Sequence, residues 1–220
     1  MQLERKLTTV ALLAVAITAS LAFAQVGPTR KGDSVQAAAP GALDSLKMTP
    51  MQNCLNDMIL WKQSTLLSDM GGHPTVDYSK LSTQMKDARM EIVRAANLYS
   101  RAIMNPAQQA EYDRNILDPK GHPLPAKWEK MRLQGTLVTS LLKSDGAQQQ
   151  KAQVVLDTFR GRNHAIWGRG NDGGYARNLG LMVDEFRAIL NKQQLAEFDK
   201  LWSSYVTVVI AVKNSVTDRP

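Results

Sequence analysis

Two stretches of this chain repeat each other at an offset of 86 residues. Arg101–Arg114 aligns with Arg187–Lys200, with eight of fourteen positions identical and three more alike in kind (Met104/Leu190, Tyr112/Phe198, Arg114/Lys200). At the centre of each copy stands Asn-x-x-Gln: Asn105 with Gln108, and Asn191 with Gln194. An Asn side chain is suited to accept an orphaned backbone N–H at a helix N-terminus, and a Gln three residues on can reach back to the cap's own N–H. Each copy therefore predicts a junction that ends one helix and starts another at a set angle. Leu190 and Leu195 fit a flanking hydrophobic staple, whereas Met104 and Gln109 do not. One turn later Tyr112 and Phe198 should each turn a ring into the core.

The surrounding pattern is helical. Thr49-Pro50 is a start signal, and Leu55, Met58, Ile59 and Leu66 follow until Gly71-Gly72-His73-Pro74. Leu81, Met85, Ala88, Ile92, Ala95, Tyr99 and Ala102 alternate spacings of 4 and 3, which keeps one apolar stripe on a neighbour. Pro106 forces a boundary or kink near Met104-Asn105, and a shorter helix runs to about Leu117. Trp128, Met131, Val138 and Leu142 suggest a helix ending near Asp145-Gly146, with the next marked by Val154, Val155 and Phe159. Gly168–Gly174 is the most broken stretch, and a helix resumes from about Tyr175 to Leu190. The last segment, from Gln194 through Val212, carries strand-preferring residues but keeps a continuous 3.6-residue stripe, so it is read as helix. The expected fold is all-α, an elongated helical bundle with two capped hinges.

The N-terminus reads as an export signal: Arg5 and Lys6, an apolar run Leu7–Leu21, then Ala22-Phe23-Ala24 as a cleavage pattern. The expected divisions are a signal peptide over 1–24, a leader over 25–45, one helical domain over 46–214 and a tail over 215–220. Cleavage after Ala24 leaves 196 residues with a net charge of +6. The destination is the periplasm or the exterior, which disfavours nucleic acid as a partner, and no later segment is expected to span a membrane.

With its repeated Ala-Glu-aromatic-Asp-basic continuation, the motif Met104-Asn105-Pro106-Ala107-Gln108 / Leu190-Asn191-Lys192-Gln193-Gln194 resembles the Leu-Thr-x-x-Gln motif of the periplasmic Spy/CpxP family, whose members often carry it twice. Asn stands here where that family has Thr. The resemblance implies an ATP-independent chaperone or envelope-stress accessory protein that binds unfolded or partly folded envelope proteins, usually as a homodimer.

The densest basic-aromatic stretch is Arg160, Arg162, His164, Trp167, Arg169, Tyr175 and Arg177. Arginine forks suit phosphate or carboxylate, and aromatic faces suit sugar rings or apolar side chains. This stretch is either a site for an anionic glycolipid, a cell-wall polymer or an acidic client segment, or a solvated surface around a loop. The alternative function it carries is a structural module for one defined envelope partner. Met58, Met85, Met90, Met131 and Met182 either fill a core or present an adaptable surface. Gly168–Gly173 matches G-x-G-x-x-G without the strand that a dinucleotide site needs. The histidines (His73, His122, His164) are far apart, and the lone Cys54 reads as a buried thiol. No nucleophile has a neighbouring His, and Glu111/Asp113 and Glu197/Asp199 read as solvated faces rather than catalytic pairs. The expectation is therefore no enzyme, no metal and no cofactor.

Overall fold

The computed structural model describes residues 46–70, 80–114, 140–166 and 172–217, and among these every regular element is helical. In chain order they are α1 (Pro50–Asp69), α2 (Thr83–Ala102), α3 (Pro106–Tyr112), a 3-10 turn (Leu141–Lys143), α4 (Gly146–Ile166), α5 (Asp172–Ala188) and α6 (Lys192–Thr217). The strand-preferring residues of Tyr205–Val212 are helical, as the continuous stripe required. Burial of that stripe outweighs a propensity difference of a few tenths of a kcal/mol per residue. At 26 residues, α6 is about 39 Å long.

Hydrogen bonds fix the helix directions. Met51 N–H donates to Gln149 Oε1 (3.0 Å), Cys54 Sγ donates to the Ala152 carbonyl (3.0 Å), and Asp57 meets Arg160 (3.0 Å). The numbers climb together, so α1 and α4 lie side by side and parallel. Tyr205 Oη donates to Ile59 O (2.9 Å) and Lys213 Nζ to Asp69 (2.8 Å), which makes α6 parallel to α1 as well. In contrast, Gln52 pairs with Ile103 and Arg89 with Leu67, so α2 is antiparallel to α1. The pairs Gln148–Ile189 and Asn163–Asn178 set α5 antiparallel to α4 in the same way.

Because of these directions, the N-termini of α1, α3, α4 and α6 gather at one end of the bundle. The helix at the centre is α1, packed against α2, α4, α5 and α6. The apolar Met51, Leu55, Met58, Ile59 and Leu66 share one stripe, and Gln52, Cys54, Asn56, Asp57, Gln63 and Leu67 are buried to either side of it, so burial covers most of the helix circumference. Burial that extends past the apolar stripe to polar positions marks a helix surrounded by its neighbours. Around it, Phe159, Phe186, Phe198 and Tyr205 are fully buried and belong to one core.

Several boundaries differ from expectation. The helix that follows Asp145 begins at Gly146, well before Val154: Asp145 Oδ1 accepts the Gln148 N–H at 2.7 Å, an N-cap bond. Asp172-Gly173-Gly174 lie inside α5, where glycine's helix penalty of about 1 kcal/mol per residue is offset by the packing of the rest of the helix. α6 runs through Thr217, so the expected tail begins later than 215. The helix expected from Trp128, along with His73, His122 and the segment over 1–45, lies outside the described residues. Among the described helices, none is long and apolar enough to cross a membrane.

Truncating a fully buried ring should be felt globally. Phe159→Ala is expected to lower unfolding free energy by about 3–5 kcal/mol in urea titration, while Val154→Ala, at a side chain 65% exposed, should stay within about 0.5 kcal/mol.

Candidate functional site

The two repeated junctions form as capping boxes and then go further. At the first, Gln108 N–H donates to Asn105 Oδ1 and Asn105 N–H to Gln108 Oε1, each at 3.0 Å. At the second, Gln194 N–H donates to Asn191 Oδ1 and Asn191 N–H to Gln194 Oε1, again each at 3.0 Å. Pro106 occupies the first helical position in one copy and Lys192 in the other. Both suit a residue whose N–H has no helical partner.

Each capping Gln then exchanges hydrogen bonds with a second glutamine at the start of another helix. Gln52 Nε2 donates to Gln108 Oε1 (2.7 Å) while Gln108 Nε2 donates to Gln52 Oε1 (3.2 Å). Gln148 Nε2 donates to Gln194 Oε1 (2.7 Å) while Gln194 Nε2 donates to Gln148 Oε1 (3.0 Å). The remaining amide hydrogens reach backbone carbonyls at the helix ends: Gln52 to Ile103 (2.9 Å), Gln108 to Leu46 (2.9 Å), Gln148 to Ile189 (3.1 Å) and Gln194 to Ser140 (3.4 Å). Gln52, Gln108 and Gln194 are buried, so these bonds replace water rather than compete with it.

Gln52 and Gln148 escaped the sequence reading, although each stands three residues after its own cap. Thr49 Oγ1 accepts the Gln52 N–H at 3.3 Å, and Gln52 Oε1 accepts the Thr49 N–H at 2.9 Å, a third full capping box. The signal was Thr49-x-x-Gln52 and Asp145-x-x-Gln148, the same cap-to-Gln spacing as the repeat.

Where the two copies differ, the structure gives the reason. Leu195 and Leu190 are half-buried against the core. Gln109, in the place of Leu195, is buried and instead donates to the Met104 and Arg101 carbonyls at 3.1 and 3.2 Å, satisfying the end of α2. Tyr112 and Phe198 are both buried, as expected of the rings one turn on.

Of the acidic residues of the repeat, Asp113 is drawn out of solvent, whereas Asp199 pairs at the surface. Arg101 clasps Asp113 with two bonds of 2.7 and 3.0 Å, and Arg187 meets Asp199 at 3.1 Å. The junction folds each chain back, so that groups twelve residues apart meet across it.

The basic-aromatic stretch is largely engaged within the fold. Arg160 pairs with the buried Asp57 and Arg162 with Glu185 at 2.6 Å. Tyr175 stacks on Trp61 at a ring separation of 5.2 Å, and Trp61 meets Phe159 edge-on at 5.6 Å. Arg177 and His164 are exposed, while Trp167 and Arg169 lie outside the described residues. Burial pushes the Asp57 carboxyl above its ordinary range, outweighing the pull of Arg160.

Met58 and Met182 are in the core and Met85 and Met90 are half-buried; Met131 lies outside the described residues. Cys54 is buried, and desolvation raises its thiol far above the ordinary range. Among the described residues no cluster of three His, Cys, Asp or Glu could hold a metal. Comparison with family models, curated proteins and solved structures returns no match to this chain.

Two outcomes test these geometries. In a simple capping box Glu serves as well as Gln, but here Gln108→Glu removes two donors and buries a charge. We expect a loss of about 2–4 kcal/mol at neutral pH, partly regained in acid, by urea titration. For Asp57, a carboxyl raised by folding gives stability that is full below its ordinary pKa and declines as pH rises through the raised one. Unfolding midpoints measured across pH should show that decline in the native chain relative to Asp57→Asn, which cannot titrate there.

Proposed function

We propose that this chain is an exported, ATP-independent holding protein of the cell envelope, acting on apolar segments of unfolded or partly folded proteins, without catalysis or a cofactor. The observation that carries the reading is the pair of Asn-x-x-Gln junctions, built alike and placed at the same end of an all-helical bundle. That pattern resembles the twice-repeated motif of the Spy/CpxP family, and the export signal agrees with an envelope setting. A net charge of +6 after cleavage would speed encounters with acidic clients.

The alternative, a module gripping one anionic partner through Arg160–Arg177, has less support, because Arg160 and Arg162 already hold Asp57 and Glu185. The described surface offers apolar clients little area. Among the described residues the exposed large hydrophobics are Val154, Leu181 and Ile210, on three different helices.

The test is aggregation of a chemically reduced test protein, followed by light scattering with residues 25–220 added at near-stoichiometric ratio. Suppression that weakens as salt is added is the expected result; unchanged scattering would end this reading.

A further inference from the structure

Ahead of α1 the chain enters the bundle as a strap, Leu46–Thr49, whose backbone is met by side chains. Leu46 is 3% exposed and belongs to the core, whereas Lys47 and Thr49 lie at the surface. The Leu46 and Lys47 carbonyls both accept from Gln108 Nε2, at 2.9 and 3.4 Å, and the Met48 carbonyl accepts from Asn53 Nδ2 at 3.4 Å. The Thr49 N–H donates to Gln52 Oε1 at 2.9 Å. A buried apolar side chain on a non-helical backbone, with its carbonyls taken up by neighbouring donors, is how a short peptide sits in a receptor: main-chain bonds hold it and a pocket selects the side chain.

The strap is held under strain. Lys47 has a φ of 46°, the only positive value at a non-glycine among the described residues. The left-handed region disfavours a residue with a Cβ, and such conformations persist only where the surroundings impose them. The second junction receives a leucine in the same manner without that strain. There Leu141 is buried, the Ser140 carbonyl accepts from Gln194 Nε2 at 3.4 Å, and the Ser140 N–H donates to Glu197 Oε2 at 2.9 Å. The receiving side of the first junction does not depend on the strap: the Gln108 amide is also bonded to the Asn105 N–H at 3.0 Å and to Gln52 Oε1 at 3.2 Å.

We infer that Leu46–Met48 is a self-ligand, closing a site at the first junction that takes a leucine-bearing, non-helical segment of a client when the strap lifts. The client as occupant rests on the holding function proposed above; the strap as a releasable self-ligand does not. What sits in the site defines what else fits it: an apolar side chain of leucine size, followed by backbone carbonyls free to accept. Gln108 and Asn53 are neutral donors, so no charge is asked of the ligand. Unfolded segments offer such carbonyls, whereas those of a formed helix or sheet are already bonded. A site filled by its own chain binds other ligands with an apparent affinity reduced by the fraction of molecules in which it is open. The strain at Lys47 raises that fraction.

The experiment follows binding of a fluorescent peptide with the sequence of residues 43–49, by anisotropy, to the full chain in its native form and as Leu46→Ser and Lys47→Gly. A control peptide carries Leu46→Ser. The expected result is binding at least about tenfold tighter to Leu46→Ser than to the native chain, because the self-ligand no longer competes. The control peptide should bind neither well, and Lys47→Gly, which accepts a positive φ without strain, should bind the peptide more weakly than the native chain. Equal affinity of Leu46→Ser and the native chain, or of the two peptides, overturns the self-ligand. Equal affinity of Lys47→Gly and the native chain overturns strain as the source of release. If circular dichroism shows that Leu46→Ser does not fold, Leu46→Ala carries the same comparison. Leu46→Ser should also suppress aggregation of the reduced test protein more strongly than the native chain. Equal suppression overturns the client as occupant, while the holding function stands or falls on the native chain's own assay.

Discussion

A buried helix end leaves backbone groups that must find partners, and in this protein glutamine provides them. The Gln108 amide accepts twice, from Asn105 N–H and Gln52 Nε2, and donates to Gln52 Oε1 and the Leu46 carbonyl. An amide has two donor hydrogens and an oxygen with two acceptor sites, so nothing on that side chain is left unsatisfied. Gln52 is equally complete. Four helix starts converge at one end of the bundle, with their caps at the surface and the glutamines that close them turned into the interior. The cap supplies an oxygen, the glutamine closes the box, and the second glutamine ties one helix start to another. The central position of α1 depends on this, since its first turn is fixed to α2 and α3 by Gln52 and to α4 by Gln149.

Much of this architecture was legible from the residues. The repeat located both junctions and named the capping pairs, because a cap is a local device with a fixed spacing. The helical stripe of α6 was correctly preferred over its strand-like composition, because period and length outweigh propensity. What the sequence could not show is who meets whom across the bundle. Arg160 and Arg162 read as a surface patch because their partners, Asp57 and Glu185, lie 103 and 23 residues away. Asp113 read as solvated because spacing along one helix says nothing about Arg101 on the helix before the hinge. The Gln–Gln exchange was half visible: each partner glutamine had the right distance from its cap, but pairing between two boxes is a tertiary fact.

The duplicated units have diverged in what covers them. At the repeat's offset, Ala95, Leu98 and Ala102 of α2 correspond to Leu181, Asp184 and Ala188 of α5. The first three are buried, with α2 packed against α6 as well as α1, and the second three are exposed. Leu98 against Asp184 follows from that difference, whereas the exposed Leu181 opposite the buried Ala95 does not. The two junctions stayed alike while the faces above them took opposite characters, which separates what the hinge demands from what the neighbouring helix demands.

The enclosure of α1 also has a consequence for how the polypeptide reaches its native state. Among the described helices α1 is the first to be made and the one that needs the last: Ile59 and Tyr205 are 146 positions apart, yet the hydroxyl of Tyr205 closes onto the backbone of Ile59. Contacts of that separation form late, because the chain between them must be ordered before they are rewarded. The first glutamine pair can close as soon as α3 has been made, but the apolar stripe of α1 stays partly uncovered until α6 arrives. During synthesis this molecule is therefore itself a nascent chain with sticky surface on display.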